Sequence, residues 1–112
     1  MKYALEERTL KFTQDIIQFC KQLPRNTINL ELTSQLVRAA GSIGANYIEA
    51  NESLSKKDFV HRIKICRKEA RESSYWLKVI ANSNSESRNP GLLVNETVEL
   101  VKIFASILKK SS

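Results

Sequence analysis

Phe59, Ile63, Cys66, Ala70, Ser73, Leu77 and Ile80 recur at 4-3-4-3-4-3 spacing without a fault. A strand would need alternation, so only a helix puts these seven on one stripe. The stripe is narrow and nearly straight, which suits near-parallel packing against other helices. Ser55-Lys56-Lys57-Asp58 precedes it as a capping box, with Ser55 as N-cap and Asp58 where glutamate is usual. The spacing predicts a helix over about 56–81.

Three further helices follow from the same reasoning. Phe12, Ile16, Phe19 and Leu23 share one face, with Leu10, Ile17 and Cys20 in a second row, and Pro24 ends the segment, so the first helix covers about 5–22. Leu32, Leu36, Ala39, Ile43, Asn46 and Ala50 line one face of a helix over about 30–52, capped somewhere between Asn29 and Thr33. Its middle, Ala39 to Ala45, contains Gly41 and Gly44. Each interior glycine costs about 1 kcal/mol relative to alanine. Either the helix breaks there or small residues admit a neighbouring backbone; the unbroken apolar phase favours close approach. Asn82 to Arg88 is polar and aperiodic and reads as a mobile loop. Asn89-Pro90 then provides a cap and a first-turn proline for a helix over about 90–108. That helix carries two rows: Leu93, Thr97, Leu100, Phe104, Ile107 and, beside it, Val94, Val98, Val101, Ala105, Leu108.

The fold class is therefore all-α, an antiparallel up-down-up-down four-helix bundle forming one domain over 1–112. One stripe per helix is enough for such a bundle. The second rows on the first and fourth helices suggest a face buried against another copy; the alternative is a merely wide core stripe.

No run of about 18 apolar residues and no signal-peptide core is present, which places the expected location in the cytoplasm, away from membranes. Cys20 and Cys66 fall on apolar faces and read as core residues. There is one histidine, no Glu-x-x-His pair, no nucleophile elbow and no phosphate-cradling glycine loop. The expectation is a protein that is not an enzyme, with no metal and no cofactor.

The formal net charge is +6 and the pI is near 9.5. Much of the positive charge is concentrated in one helix. Lys57, Lys64, Lys68 and Arg71 are spaced 7-4-3 away from the apolar stripe, with Arg67 flanking them and Arg62 nearby. Tyr75 and Trp76 follow one turn on. A cationic helical face with an aromatic end can hold phosphates and stack a base, so these six cations are the candidate nucleic-acid-binding residues for RNA or DNA. The competing reading is a solvated face, or one that docks an acidic protein.

On the second helix Arg38, Ser42, Ala45, Glu49 and Glu52 share a face. For a hairpin turning near residue 54, facing positions sum to about 109. Arg38 is thus expected to form an ion pair with Glu72, and Asn46, on the seam, to be hydrogen-bonded and to fix register.

Leu36-x-Arg38-Ala39-Ala40-x-Ser42-Ile43-x-x-Asn46-x-x-Glu49, then Ser55-Lys56-Lys57-Asp58-Phe59 and Glu72-x-x-Tyr75-x-Leu77, resembles the family named for open reading frames in 23S rRNA intervening sequences. The resemblance covers nearly the whole chain. It implies a small antiparallel bundle assembled as a ring-shaped homopentamer. It marks Arg38, Ser42, Asn46, Glu49 and Glu72 as motif residues. A related accessory protein of diversity-generating retroelements presents a basic surface on such a ring, which implies nucleic acid and a reverse transcriptase or other protein as partners. Where the family often has glycine after the glutamate, this chain has Ala50.

Overall fold

A computed structural model describes residues 2–86 and 89–112, the side chain of Lys2 aside. Four helices follow in order: α1 (Lys2–Lys21), α2 (Thr27–Asn51), α3 (Lys56–Ser83) and α4 (Gly91–Lys110). Cross-helix partners run in opposite directions throughout. Glu6 meets Asn51 while Thr13 meets Ala40, and Asn29 meets Asn84 while Asn46 meets Arg62. Arg8 meets Glu96 from α1 to α4. Each helix therefore lies antiparallel to its neighbours in a bundle 45 Å long and about 20 Å across.

The helix ends have identifiable causes. Asn26 caps α2, its side-chain oxygen accepting the Asn29 N–H at 2.8 Å, so the helix opens earlier than the predicted window of Asn29 to Thr33. Asn29 is instead buried and occupied elsewhere. Ser55 caps α3 as expected, accepting the Asp58 N–H at 3.1 Å. The α3 helix continues to Ser83, so Asn82 and Ser83 belong to it rather than to the loop, and Asn84 closes its end. Ser85 and Glu86 form an exposed turn, and Ser87 and Arg88, the last two residues of that predicted loop, lie outside the described residues. α4 opens one residue later than expected: Pro90 is its N-cap rather than its first helical residue and no side chain caps it, while Asn89 Oδ1 accepts the Gly91 N–H at 2.8 Å in the turn just before the helix.

The core is one cluster built from the expected stripes. Phe12, Ile16, Leu36, Ile43, Ile63, Leu77, Ile80, Leu100 and Phe104 are all but inaccessible to solvent. Burying each such side chain contributes about 1.5–3 kcal/mol. Buried hydroxyls do not interrupt it, because each bonds back to its own helix: Thr9 to the Leu5 carbonyl, Ser73 to that of Glu69, Thr97 to that of Val94.

α2 passes through Gly41 and Gly44 without a break. A β-carbon at Gly44 would lie 3.1 Å from Thr9 Oγ1, so this glycine admits α1. A β-carbon at Gly41 would meet nothing within 4 Å. The close-approach reading therefore applies to Gly44 alone. The second rows are only partly covered: Leu10 and Val98 are exposed, and Ile17, Val94, Val101 and Leu108 are half-buried.

Candidate functional site

The predicted site lies along α3 and its seam with α2. Lys57, Lys64, Lys68 and Arg71 are all exposed, as their spacing on the side away from the apolar stripe requires. Arg67 is half-buried. Near the start of α3, Lys56, Lys57, Val60, His61 and Lys64 line a shallow depression of 510 Å³. Tyr75 is exposed, its ring edge-on to Trp76 with centroids 5.0 Å apart. Lys68 Nζ, itself exposed, is 3.9 Å from Oε2 of the half-buried Glu69, a weak contact at that distance.

Arg62 does not belong with these cations. Its Nη1 donates to Asn46 Oδ1 at 3.0 Å, and its Nε lies 3.9 Å from Asp58 Oδ1. The Nε atom is buried with no hydrogen-bond acceptor. Asn46 Nδ2 in turn donates to the Ser42 carbonyl and hydroxyl, both at 2.9 Å, and Ser42 Oγ approaches Glu69 Oε2 at 3.4 Å. A polar ladder of Arg62, Asn46, Ser42 and Glu69 thus runs up one flank of the α2–α3 seam. Asn46 is half-buried and fully hydrogen-bonded, and so holds the register expected of it.

The expected Arg38–Glu72 ion pair is absent among the described residues. Both side chains are exposed, and the seam at their level is closed by Ala39 and Ala70. An exposed pair gains about 0–1 kcal/mol and loses side-chain entropy, so nothing compels it to form. Glu49 is exposed as well. Arg62 and Glu69 were the partners that the register rule could have found: 46 and 62 sum to 108, 42 and 69 to 111.

Among the described residues no group of three or more His, Cys, Asp or Glu side chains could hold a metal ion. Nor is any described helix long and apolar enough to cross a membrane. Cys66 is buried, and loss of solvent pushes its thiol up to about 12; Cys20, half-buried, is pushed up to about 11 for the same reason.

The profile of the 23S rRNA-intervening sequence proteins matches residues 2–106. The chain belongs to that family. A crystal structure from Bacteroides thetaiotaomicron, of a protein of unknown function from the S23 ribosomal protein family, is similar at a TM-score of 0.84. The two are 30% identical, over 93% of this chain and 97% of the other. No curated protein matches. In this 23S rRNA-intervening sequence protein the motif residues divide by role. Ser42 and Asn46 build the seam, whereas Arg38, Glu49 and Glu72 face solvent. Ala50 is helical and buried, and no described residue has positive φ, so the α2–α3 turn has no need of glycine there.

Proposed function

We propose that this 23S rRNA-intervening sequence protein is a non-enzymatic, homo-oligomeric scaffold that binds nucleic acid along α3 and works in the cytoplasm. The observation that carries the reading is the exposure of Lys57, Lys64, Lys68 and Arg71 on one side of a single continuous helix. Phosphates repeat along a backbone, and a line of cations on a rigid rod can meet several at once. Exposed Tyr75, near the end of that line, offers a ring face for a base. Leu10 and Val98, left uncovered in the second apolar rows, support self-association. The assembly implied by the family resemblance is a homopentamer, which would multiply weak contacts.

The test is solution mass by light scattering, with and without a short single-stranded RNA, at low and moderate salt. A multimer that gains RNA mass at low salt and releases it as salt rises is expected. Four phosphate contacts per chain give a logarithmic salt slope of about −3. A monomer indifferent to RNA would overturn the reading. A multimer that ignores RNA but retains an acidic protein would instead make it an adaptor, with an acidic partner protein or a reverse transcriptase docked on the same cations.

A further inference from the structure

We propose that the depression at the start of α3 holds the terminal phosphate monoester of a nucleic-acid strand, a proposal that rests on the nucleic-acid reading above. Lys56, Lys57, Val60, His61 and Lys64 line it. Every one of these side chains except Val60 can donate a hydrogen bond, and no carboxylate stands among them. The three lysines and His61 are exposed, and none pairs with an acid among the described residues. Asp58, the acid in the first turn of α3, does not line the depression; its Oδ1 lies 3.9 Å from Arg62 Nε instead. A concavity lined by charge of one sign concentrates ions of the other.

The place of these cations in the helix points to a doubly charged anion. Lys56 and Lys57 are the first two residues of α3, where the helix dipole has its positive end and lysine is disfavoured. The empty helix bears that repulsion, and an anion seated beside the turn relieves it. A phosphate within a strand is a diester with a single charge, and successive diesters are met by a line of cations such as Lys64, Lys68 and Arg71. A terminal phosphate is a monoester, with a charge of about −1.5 to −2 at neutral pH and three acceptor oxygens. It suits several donors gathered in one place. Lys64 belongs to both features: it lines the depression and begins the exposed line that leads toward Tyr75. A strand seated by its end against Lys56 and His61 therefore carries its next phosphates past Lys68 and Arg71. That continuity favours nucleic acid over a phosphorylated protein segment, which has no repeating phosphates for the rest of the line.

Short single-stranded RNA of one sequence, with hydroxyl ends, a 5′ phosphate or a 3′ phosphate, is titrated calorimetrically into the native assembly at moderate salt. A terminal phosphate is expected to tighten binding about tenfold over the hydroxyl-ended strand, and the end that does so gives the direction of the strand on α3. Lys56→Gln and His61→Ala, both exposed and off the line, should each remove most of that gain while the hydroxyl-ended strand binds nearly as before. Lys78→Gln, exposed on the same helix beyond Tyr75, loses the same charge as Lys56→Gln and should keep the gain. Equal affinity for the three strands would overturn the proposal and leave the line of cations standing, whereas binding of none of them would overturn both. A gain that Lys56→Gln and Lys78→Gln reduce alike is general charge attraction and sinks the proposal too. So does adenosine 5′-monophosphate binding as tightly as the phosphorylated strand, or a phosphoserine peptide binding where that strand does not.

Discussion

Asn29 and Asn84 hold one another by two reciprocal amide hydrogen bonds, each 2.9 Å long, across 55 residues of sequence. Each amide also reaches a carbonyl, Asn29 that of Pro24 and Asn84 that of Ile80. The pair closes the end of the α2–α3 hairpin opposite its turn. Asn29 is buried, so removing one partner leaves the other short of hydrogen bonds away from water. Asn29→Leu, close in volume, is expected to cost about 1–3 kcal/mol. In urea unfolding the midpoint should fall with the slope unchanged. Adding Asn84→Leu should cost little more, because the interaction is already gone. Additive losses would mean that the two amides act separately.

Gly41 and Gly44 should respond oppositely to alanine. Nothing stands near a β-carbon at 41, so Gly41→Ala is expected to stabilise the fold by about 1 kcal/mol through helix propensity alone. At 44 the new carbon meets Thr9 Oγ1 at 3.1 Å, and that hydroxyl is pinned by the Leu5 and Glu6 carbonyls, both at 3.0 Å. Gly44→Ala should therefore gain nothing or lose stability. In a Thr9→Ala background the penalty should shrink, a coupling that thermal or urea unfolding of the four proteins would reveal.

These glycines also show where the sequence stops being readable. Both sit in the same apolar phase, and only the position of α1 distinguishes them. Periodicity made the four helices, the core stripe of α3 and the Ser55 cap legible, because each is a local property of one segment. The hairpin turn near residue 54 even located the α2–α3 register. What it could not resolve was which flank a polar residue occupies. Arg62 and Arg38 look alike as isolated cations, yet a half-buried seam recruits the first and leaves the second in water. Tyr47 escaped notice for a related reason. It lies one residue off the seam position Asn46, and is buried by Phe104 of α4, whose ring centroid is 6.0 Å away.

The thiol of Cys66 predicts an alkaline dependence. Its Sγ–H donates to the Ile43 carbonyl at 3.4 Å, and burial raises it from an ordinary value of 9.0 to about 12. A raised folded value stabilises the protein fully below pH 9, where both states are protonated. The unfolded chain ionises first, so that contribution is lost between pH 9 and about 12, at roughly 1.4 kcal/mol per unit. Cys66→Ala lacks this dependence. The stability difference between wild type and Cys66→Ala, measured by urea unfolding, should be flat from pH 7 to 8.5 and shift against wild type from pH 9 to 11. A constant difference would mean that the thiol ionises as freely in the folded chain as in the unfolded one.

Arg62 and Lys64 are two residues apart on α3, and the structure assigns them different consequences. Arg62→Ala removes the donor to Asn46 Oδ1 and breaks the polar ladder in a half-buried seam. The expected loss is about 1–2 kcal/mol of stability, with RNA affinity per folded molecule and its salt slope unchanged. Lys64→Ala removes an exposed ammonium with no carboxylate partner among the described residues. It should leave unfolding within about 0.5 kcal/mol of wild type. On single-stranded RNA it should weaken binding uniformly across sequences and flatten the logarithmic salt slope by about 0.7, one phosphate contact. Lys68→Ala and Arg71→Ala should behave like Lys64→Ala. If Arg62→Ala flattened the salt slope as much as Lys64→Ala, then Arg62 would leave Asn46 to meet the phosphate. The ladder would then be a part of the binding face rather than its support.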